Sequence, residues 1–593
     1  MRLSMSEQPS PGKTKAKPKP KPRPKSSQRP GTSARLRISS AALVAAGSAL
    51  AFHEAAHGAD TKDPAAAFVA WHERVVQPLE YEASLAWWNA NTSGKDEDFQ
   101  IKEEAQNKLD SVLADPKRFA ELEAVKKRKI KDPILRRQID VLHLQYLEKQ
   151  VDPALLQRIT AKANAIEKAF NAFRAKLGDR EFTDSQVRRE LKEGKDSDRR
   201  RAIWQASKAV GAIVEKDLLE LVNLRNELAR HLGFRDYHVL QLHLNEQNQD
   251  KVLKLFDQLD RLTREPFQQA KASIDSVLAA QCRIRVEDLR PWHYHDPFFQ
   301  EAPSVSARDL DTVYTNSDIV KVCAAYYAGI GLPIDDVLAR SDLHEKPGKS
   351  PHAFCTDIDR KGDVRVLANV VPNLYWMSTM LHELGHAVYS SKNIPPSVPY
   401  VLRTEAHILS TEGVAMMFER PAANAAWLQA MGVTVPDPNS FTAAGAEKKR
   451  LELLVFSRWC QVMLRFEQEL YRDPRQDLNK LWWDLVEKYQ MVKRPEDRND
   501  PDYASKIHIV TAPAYYHNYM LGQLFASQLH HTIAREVLKV PPEQALYVGN
   551  PAVGQFLKQR VFAPGRTLPW NELTEFATGE ELNPQAFAAD FKK

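Results

Sequence analysis

Cysteine and glycine are both scarce in this chain, which holds 4 cysteines and 22 glycines among 593 residues. The cysteines lie too far apart to form a zinc site of paired thiolates, and their positions do not indicate which of them could form disulfides. Alternating segments flanked by hairpin turns are lacking as well, which argues against a mainly β fold. The four cysteines are Cys282, Cys323, Cys355 and Cys460.

Long apolar segments are also missing. The most apolar stretch, 38–52, has about fifteen residues, fewer than a helix needs to span a bilayer comfortably. It follows a basic segment and ends in Ala-Leu-Ala at 49–51, a pattern typical of a bacterial secretory signal, with cleavage there or at the Ala59–Asp60 junction. We therefore expect export to the periplasm or the extracellular space and no stable membrane insertion. An uncleaved N-terminal anchor or a misassigned start codon is the alternative.

Positive charge is concentrated at the N-terminus. Residues 1–37 contain eleven Lys or Arg and one acidic residue, Glu7, whereas the whole chain has a formal net charge of +6. The remaining chain is therefore slightly acidic, which gives no indication that the folded part binds nucleic acid. Alternating Pro and basic residues in 13–30 predict an extended, disordered tail. We expect a disordered tail at 1–37, a signal segment at 38–59 and a single catalytic domain at 63–593.

From residue 63 onward, apolar residues recur at spacings of three and four, as in Leu221, Leu224 and Leu228, which is typical of helices with one buried face. One stretch, 363–371, alternates in polarity and is rich in β-branched residues, so it predicts a short edge or hairpin strand. The sequence thus predicts a nearly all-α fold of two closely connected helical lobes.

The most informative segment reads His382-Glu383-Leu384-Gly385-His386 within an apolar helical stretch. Histidines four residues apart lie on one face of a helix, about one turn apart, so they can share a metal ion. Glu383 projects beside them, where it can accept a proton from water as a general base. Two imidazoles and one carboxylate suit a single Zn²⁺ with an open fourth position. The alternative is a pair of core histidines bonded to backbone carbonyls.

A third ligand is needed downstream, and two glutamates compete for this role. Glu405 lies 19 residues after His386, and Glu412 lies 26 residues after it. Glu412 begins an apolar helical run that Ser410 or Thr411 could cap, which would place its carboxylate in the first turn. Glu405 could instead be a solvated loop residue or a partner of a metal ligand. Spacing alone does not decide between them.

These residues resemble the peptidyl-dipeptidase A family, the angiotensin-converting-enzyme-like zinc peptidases, and more distantly oligoendopeptidase F and thimet oligopeptidase. In that family a Leu-Arg pair precedes the zinc glutamate by nine residues, as Leu402-Arg403 precedes Glu412 here. The resemblance therefore favours Glu412 over Glu405. It also implies an almost wholly helical, two-lobed shell around a deep central cleft.

A second set of residues matches the family near the C-terminus. By resemblance, His508 and Tyr519 would donate hydrogen bonds to the oxyanion of the substrate, where donors are typically worth about 2.7–4 kcal/mol each. Lys506 and Tyr516 would hold the C-terminal carboxylate of the substrate. One inserted residue is needed to align the tyrosines, so Tyr515 competes for these roles, and ordinary core packing is the alternative for the whole group.

Two further segments resemble the family. His352 and Ala353 precede His382 by about thirty residues and resemble a His-Ala pair that holds the substrate main chain by strand-like pairing. A loop histidine without this role is the alternative. Residues 224–230 fit a helix that lines the cleft, and the sequence assigns them no role.

The chain also departs from the family at several positions. The aspartate that usually follows the zinc glutamate by four residues, and orients the first histidine, is Met416 here. Such histidines generally need a carboxylate partner, and Glu405 or Glu419 is expected to supply it. The chloride-binding arginine is Asn518, which argues against chloride activation. The disulfide beside the His-Ala pair is absent, because residue 351 is proline.

The sequence therefore predicts a zinc metallopeptidase that hydrolyses oligopeptides and releases C-terminal dipeptides. An oligopeptidase or endopeptidase with the same chemistry would lack the carboxylate anchor at Lys506. A helical peptide-binding protein without turnover is the alternative of another class, although the general base Glu383 argues against it. An aminopeptidase is suggested only by the spacing to Glu405.

Overall fold

The computed structural model describes residues 63–303 and 308–591, and helices account for most of them. The predicted tail and signal segment lie outside the described residues. The longer helices, of ten residues or more, are Pro64–Ser93, Asp96–Leu113, Pro116–Lys126, Pro133–Leu147, Pro153–Ala172, Asp184–Glu193, Ser197–His231, Gln249–Cys282, Ile319–Gly329, Leu374–Val388, Ile408–Glu419, Pro438–Arg472 and His517–Ile533. Shorter helices are Tyr237–Leu244, Asp335–Arg340, Ala425–Ala430, Leu478–Leu485, His508–Thr511, Pro551–Leu557, Trp570–Thr578 and Gln585–Ala589. The prediction of a nearly all-α fold is confirmed.

An Asp-Pro dipeptide begins four of the five N-terminal helices. Asp63, Asp115, Asp132 and Asp152 each accept a hydrogen bond from a backbone N–H of the first turn. Proline follows each of them, where its missing N–H and its fixed φ suit the first helical position. This repeated signal explains where these helices begin.

Two small antiparallel hairpins complete the described structure. The strand expected within 363–371 is Val364–Leu367, and it pairs with Phe354–Asp357 in a hairpin that packs on the helix Leu374–Val388. A second hairpin, Ala175–Leu177 with Arg180–Phe182, was not predicted. Its strands are only three residues long, too short for alternation to be visible within a charged helical region.

Three helices that cross closely position the candidate site: the motif helix (Leu374–Val388), the Glu412 helix (Ile408–Glu419) and the Tyr519 helix (His517–Ile533). A Cβ atom at Gly385 would lie 2.7 Å from the Cα of Ala415, and one at Gly413 would lie 2.9 Å from the carbonyl oxygen of Gly522. No side chain fits at either crossing, so these glycines let the helices approach. The crossings bring distant parts of the sequence together.

The apolar face of the motif helix lies in the main hydrophobic core, which extends from Ile166 to Phe591. A separate core joins the N-terminal helices, from Ala65 to Tyr146, to the segment around Val398 and Leu402. All four cysteines are buried and unbridged. Among 63–303 and 308–591, no helix combines the length and the apolar character that a membrane span requires.

Candidate metal centre

His382, His386 and Glu412 converge on one point between the motif helix and the Glu412 helix. The Nε2 atoms of the two histidines are 3.2 Å apart, and Glu412 Oε2 lies 3.6 Å from the first and 3.9 Å from the second. Tetrahedral ligands about 2.1 Å from a zinc ion lie about 3.4 Å from one another. Two imidazoles and a carboxylate at these separations could therefore hold a zinc ion.

The outer nitrogen of each histidine, Nδ1, contacts a side chain that orients the ring with Nε2 toward the cluster. His382 Nδ1 lies 3.0 Å from Glu419 Oε2, and His386 Nδ1 lies 2.8 Å from the hydroxyl of Thr411. An ionised carboxylate only accepts, so Nδ1 of His382 donates, and Nε2 is the nitrogen that becomes free for a metal when its proton leaves. The resulting tautomer is the one that a metal requires of a histidine ligand.

The electrostatics of this site favour a cation. Burial opposes protonation of His382, yet Glu412 and Glu419 raise its pKa well above the ordinary value. Burial alone would raise the pKa of Glu419, but Lys449 and His382 lower it to about 2. The carboxylates of Glu412 and Glu419 thus create a negative potential at the imidazole of His382, and a bound divalent cation would neutralise this potential.

Glu383, the candidate general base, lies on the motif helix and is 1% exposed. The competing third ligand, Glu405, lies outside the three-residue cluster and near Arg360 and Asp357, whose pKa values it raises. The expectation that Ser410 or Thr411 caps the Glu412 helix is wrong. The N-cap is His407, whose ring accepts from Leu409 N at 3.0 Å, and Ser410 contributes only in return, as its hydroxyl accepts from the backbone N–H of His407 at 3.1 Å.

Because the helix begins at Ile408, Glu412 lies in its second turn and not in its first. This shift by one turn leaves Thr411 in the position that contacts His386. The expectation that Glu412 lies in the first turn of its helix is therefore wrong as well, because the His407 cap makes the helix begin earlier.

The residues predicted to contact substrate also lie together. Lys506 Nζ is 5.7 Å from the Tyr516 ring centroid, and the Tyr516 ring is 5.3 Å from His508 and 5.7 Å from Tyr519. Tyr515, the competitor, has its ring 5.3 Å from that of Tyr519. Tyr516 contacts both Lys506 and His508, which supports the alignment that groups these three residues.

His508 and Tyr519 are both neutral donors at physiological pH. Burial and the nearby Lys506 lower the pKa of His508 to about 3. Burial and the charge of Glu412 raise the pKa of Tyr519, which places this hydroxyl near the metal cluster. His508 Nδ1 is buried and has no hydrogen-bond partner among the residues that the structure describes.

Gln300 is a residue that sequence reasoning missed. Its Oε1 accepts from Lys506 Nζ at 2.7 Å, and both side chains are buried. Asp296 holds the preceding loop by accepting from the backbone N–H groups of Phe298 at 2.8 Å and Gln300 at 3.3 Å. No local motif marks Gln300, because it lies 206 residues before its partner.

Arg225 belongs to the segment 224–230, to which the sequence assigned no role. Its guanidinium donates to the carbonyl oxygens of Ile509 at 3.0 Å and Val510 at 2.6 Å, directly after His508. Glu467 accepts from Ala514 N at 2.9 Å, a residue with φ of 52°. These two buried side chains hold the connection between His508 and the tyrosines.

Asn518 is buried in a network of neutral groups. Its Oδ1 accepts from Gln247 Nε2 at 2.7 Å, and Gln247 Oε1 lies 2.7 Å from His517 Nε2. Burial lowers the pKa of His517 well below its ordinary value, so this ring is uncharged. The side chain at position 518 is thus an amide whose partner is another amide.

His352 and Ala353 directly precede the hairpin strand Phe354–Asp357. His352 is exposed, and its backbone N–H donates to Ser350 Oγ at 3.3 Å, whereas Ala353 is buried. The hairpin that follows them packs on the motif helix. Their proposed contact with the substrate main chain stays a prediction.

Comparisons with known proteins show which family this chain matches. A family model, Peptidase_M2, described as angiotensin-converting enzyme, matches residues 59–269 and 296–592. An angiotensin-converting enzyme of Theromyzon tessulatum is 21% identical over 318 residues, 51% of this chain and 51% of that protein. The angiotensin-converting enzyme-like protein Ace3 of Mus musculus is 22% identical over 425 residues, 66% of this chain and 56% of that protein.

A further match is an angiotensin-converting enzyme of Mesocricetus auratus, 24% identical over 284 residues, which cover 46% of this chain and 21% of that protein. The chain therefore spans about half the length of two of these relatives and about a fifth of the third.

Proposed function

The chain belongs to the angiotensin-converting enzyme family of peptidases, and from this membership we propose that it is a zinc-dependent peptidase that releases C-terminal dipeptides from oligopeptides. The convergence of His382, His386 and Glu412 within 3.2–3.9 Å is the observation that supports the metal. Zinc, when bound, supplies a Lewis acid that activates water at neutral pH.

In this proposal the protein's own residues handle the protons and charges. Glu383 accepts the proton of the attacking water and returns it to the leaving amine. The neutral His508 and Tyr519 donate hydrogen bonds to the oxyanion that develops on the carbonyl. Both are held as donors by their surroundings, since burial keeps His508 uncharged and Tyr519 protonated.

Release of a dipeptide requires a fixed anchor for the substrate's C-terminus. Lys506 supplies a buried ammonium, and Gln300 and Tyr516 lie beside it as further polar contacts. A carboxylate held there fixes the distance from the C-terminus to the scissile bond. His352 and Ala353 would hold the substrate main chain. Oligopeptides are the proposed partners, and no nucleic acid is proposed as one.

The test is mass spectrometry of peptide digests, with each peptide supplied as the free acid and as the C-terminal amide, with and without a chelator. We expect dipeptides from the free acid, little cleavage of the amide, and none with the chelator. Internal cleavage that persists on amides would favour an endopeptidase, and turnover that survives the chelator would contradict the zinc mechanism.

Lys506→Ala should raise KM for free-acid peptides by at least about tenfold, because it removes a charge-assisted contact worth about 1.5–3 kcal/mol. It should change KM little for amidated peptides. Lys480→Ala is a matched control, since Lys480 is 63% exposed and pairs with Asp484 on the protein surface.

Export to the periplasm or extracellular space is part of this proposal. It is supported by the basic segment and the short apolar run before residue 60.

A further inference from the structure

The outer nitrogen of His382 ends a chain of charged groups that continues away from the metal cluster. We propose that Glu419 and Lys449 form a charge-assisted hydrogen-bond chain with His382, and that this chain positions His382 and determines how tightly the protein retains its metal. This inference rests on the proposed zinc centre. It assigns positioning roles to two residues that are not among the three that could hold the metal.

Both oxygens of the Glu419 carboxylate are used in this chain. Oε2 lies 3.0 Å from His382 Nδ1, and Oε1 accepts from Lys449 Nζ at 2.7 Å. The three side chains are largely enclosed, with exposures of 13% for His382, 17% for Glu419 and 32% for Lys449. Hydrogen bonds to charged groups are worth about twice as much as neutral ones, and more so where water is excluded.

The chain joins three helices. His382 lies on the motif helix, Glu419 is the last residue of the Glu412 helix, and Lys449 lies on the helix Pro438–Arg472. Glu419 follows Glu412 by seven residues, which is close to two helical turns, so both face the motif helix. One helix therefore supplies both the candidate ligand and the group that orients a neighbouring ligand.

Met416 lies between these two glutamates, one turn after Glu412 on the same face, and is 3% exposed. Its thioether cannot replace a carboxylate as an acceptor for His382. Glu419 lies about one turn further along the helix, and its carboxylate provides the charged partner for His382 that residue 416 does not provide.

The two histidines are consequently held in different ways. His382 donates to an ionised carboxylate that Lys449 fixes in place, whereas His386 contacts the neutral hydroxyl of Thr411. An anionic partner makes an imidazole a stronger donor of its lone pair than a hydroxyl does. Removal of the charge at Glu419 should therefore weaken zinc binding directly and not only reduce turnover.

The experiment measures the zinc dissociation constant of the full-length protein by competition with a chelator. Glu419→Gln keeps the size and an acceptor but removes the charge, and we expect zinc binding about 10–100-fold weaker, the usual effect of losing such a partner. Glu419→Leu removes the acceptor as well and should bind zinc more weakly still. Lys449→Met should weaken binding several-fold.

Lys448→Met is the matched control, because Lys448 is the adjacent residue, is 49% exposed and pairs with Glu452 on its own helix. It should bind zinc as the wild type does. Thermal unfolding of the metal-free variants shows whether each one is folded before its affinity is interpreted.

Wild-type zinc affinity in both Glu419 variants would overturn the inference, and equal affinity of the Lys449 and Lys448 variants would remove Lys449 from the chain. A wild-type protein that binds no zinc would instead contradict the proposed function. The two failures are therefore distinguishable.

Discussion

Glu383 lies beside His382 on the motif helix, yet it is not one of the three residues that could hold the metal. The residue is 1% exposed, so bulk solvent does not surround its carboxylate. Metal binding and catalysis are thus assigned to different side chains of the same helix.

Glu383→Gln should reduce kcat by about 10²–10⁴-fold, because an amide cannot accept the proton from water. Zinc content should equal that of the wild type, since His382, His386 and Glu412 are unchanged. Turnover of a peptide and zinc content measured on the same preparation check this. A zinc-loaded variant with wild-type turnover would defeat the enzymatic interpretation.

Glu467 is a buried carboxyl group with an unusual protonation state. Burial raises its pKa from an ordinary value of 4.5 to about 8, although Ala514 N–H and Arg225 oppose this. The folded protein therefore keeps a proton that the unfolded chain releases above pH 4.5. The free energy of unfolding should fall as pH rises from about 4.5 to 8, by an amount on the order of 4 kcal/mol from this group alone.

Glu467→Gln should remove that contribution, so its stability relative to the wild type should increase as pH rises. Denaturant unfolding of both proteins at pH 5, 7 and 9 measures the difference. Parallel stability profiles of the two proteins would show that Glu467 is ionised throughout this range.

At the level of elements, the helix Ser197–His231 holds the segment that is proposed to contact the substrate. Arg225 reaches from this helix to the carbonyls of Ile509 and Val510 and to the hydroxyl of Tyr471 at 3.1 Å. Loss of these bonds would let His508 and the tyrosines shift relative to the metal cluster.

Arg225→Met should lower kcat/KM by about 10–100-fold, since misplacement by about 1 Å can cost 10² in rate. Zinc affinity should not change. Arg225→Lys keeps the charge but has fewer donors, so it should give a smaller loss. It serves as the test if the methionine variant folds poorly. Arg230→Met changes an exposed arginine on the same helix and should leave kcat/KM unaltered. Wild-type kcat/KM in folded Arg225→Met would exclude the positioning role.

The elements themselves could largely be predicted from the sequence. Apolar spacing predicted helices, alternation predicted the strand at 364–367, and the spacing of His382 and His386 predicted a shared helical face, because these signals are local. The start of the Glu412 helix was wrong by about one turn, since the side chain of His407 acts as a cap that histidine seldom provides.

Contacts between distant segments could not be predicted. Gln300 with Lys506 and Arg225 with Val510 join residues more than 200 positions apart, and nothing in the local sequence marks either pair. Glu419 was one of two options, and its contact with Lys449 depends on how two helices cross.

At the scale of the whole molecule, Glu246 links the N-terminal helices to the C-terminal part of the chain. Its carboxylate accepts from Arg137 at 3.0 Å and from Arg566 at 3.2 Å, and Arg137 Nε donates to the carbonyl of Arg566 at 2.9 Å. The side chains of Glu246 and Arg137 are 13% and 10% exposed, so this ion pair is mostly shielded from water.

Glu246→Gln should destabilise the protein by about 3–5 kcal/mol, because it leaves the buried guanidinium of Arg137, and the partly exposed one of Arg566, without their counter-charge. Asp217→Asn, which removes the partly exposed partner of Lys162, should cost less than about 1 kcal/mol. Denaturant unfolding of both variants compares these values. Equal effects would indicate that water screens the Glu246 cluster as it does a surface pair.

The four unbridged cysteines bear on how the protein can be made. Each thiol is enclosed by the fold, and no covalent link between distant segments is part of the described structure. Maturation therefore needs no oxidant and no isomerase to select correct pairings. Production in a reducing bacterial cytosol should give material as active as that recovered from an oxidising compartment.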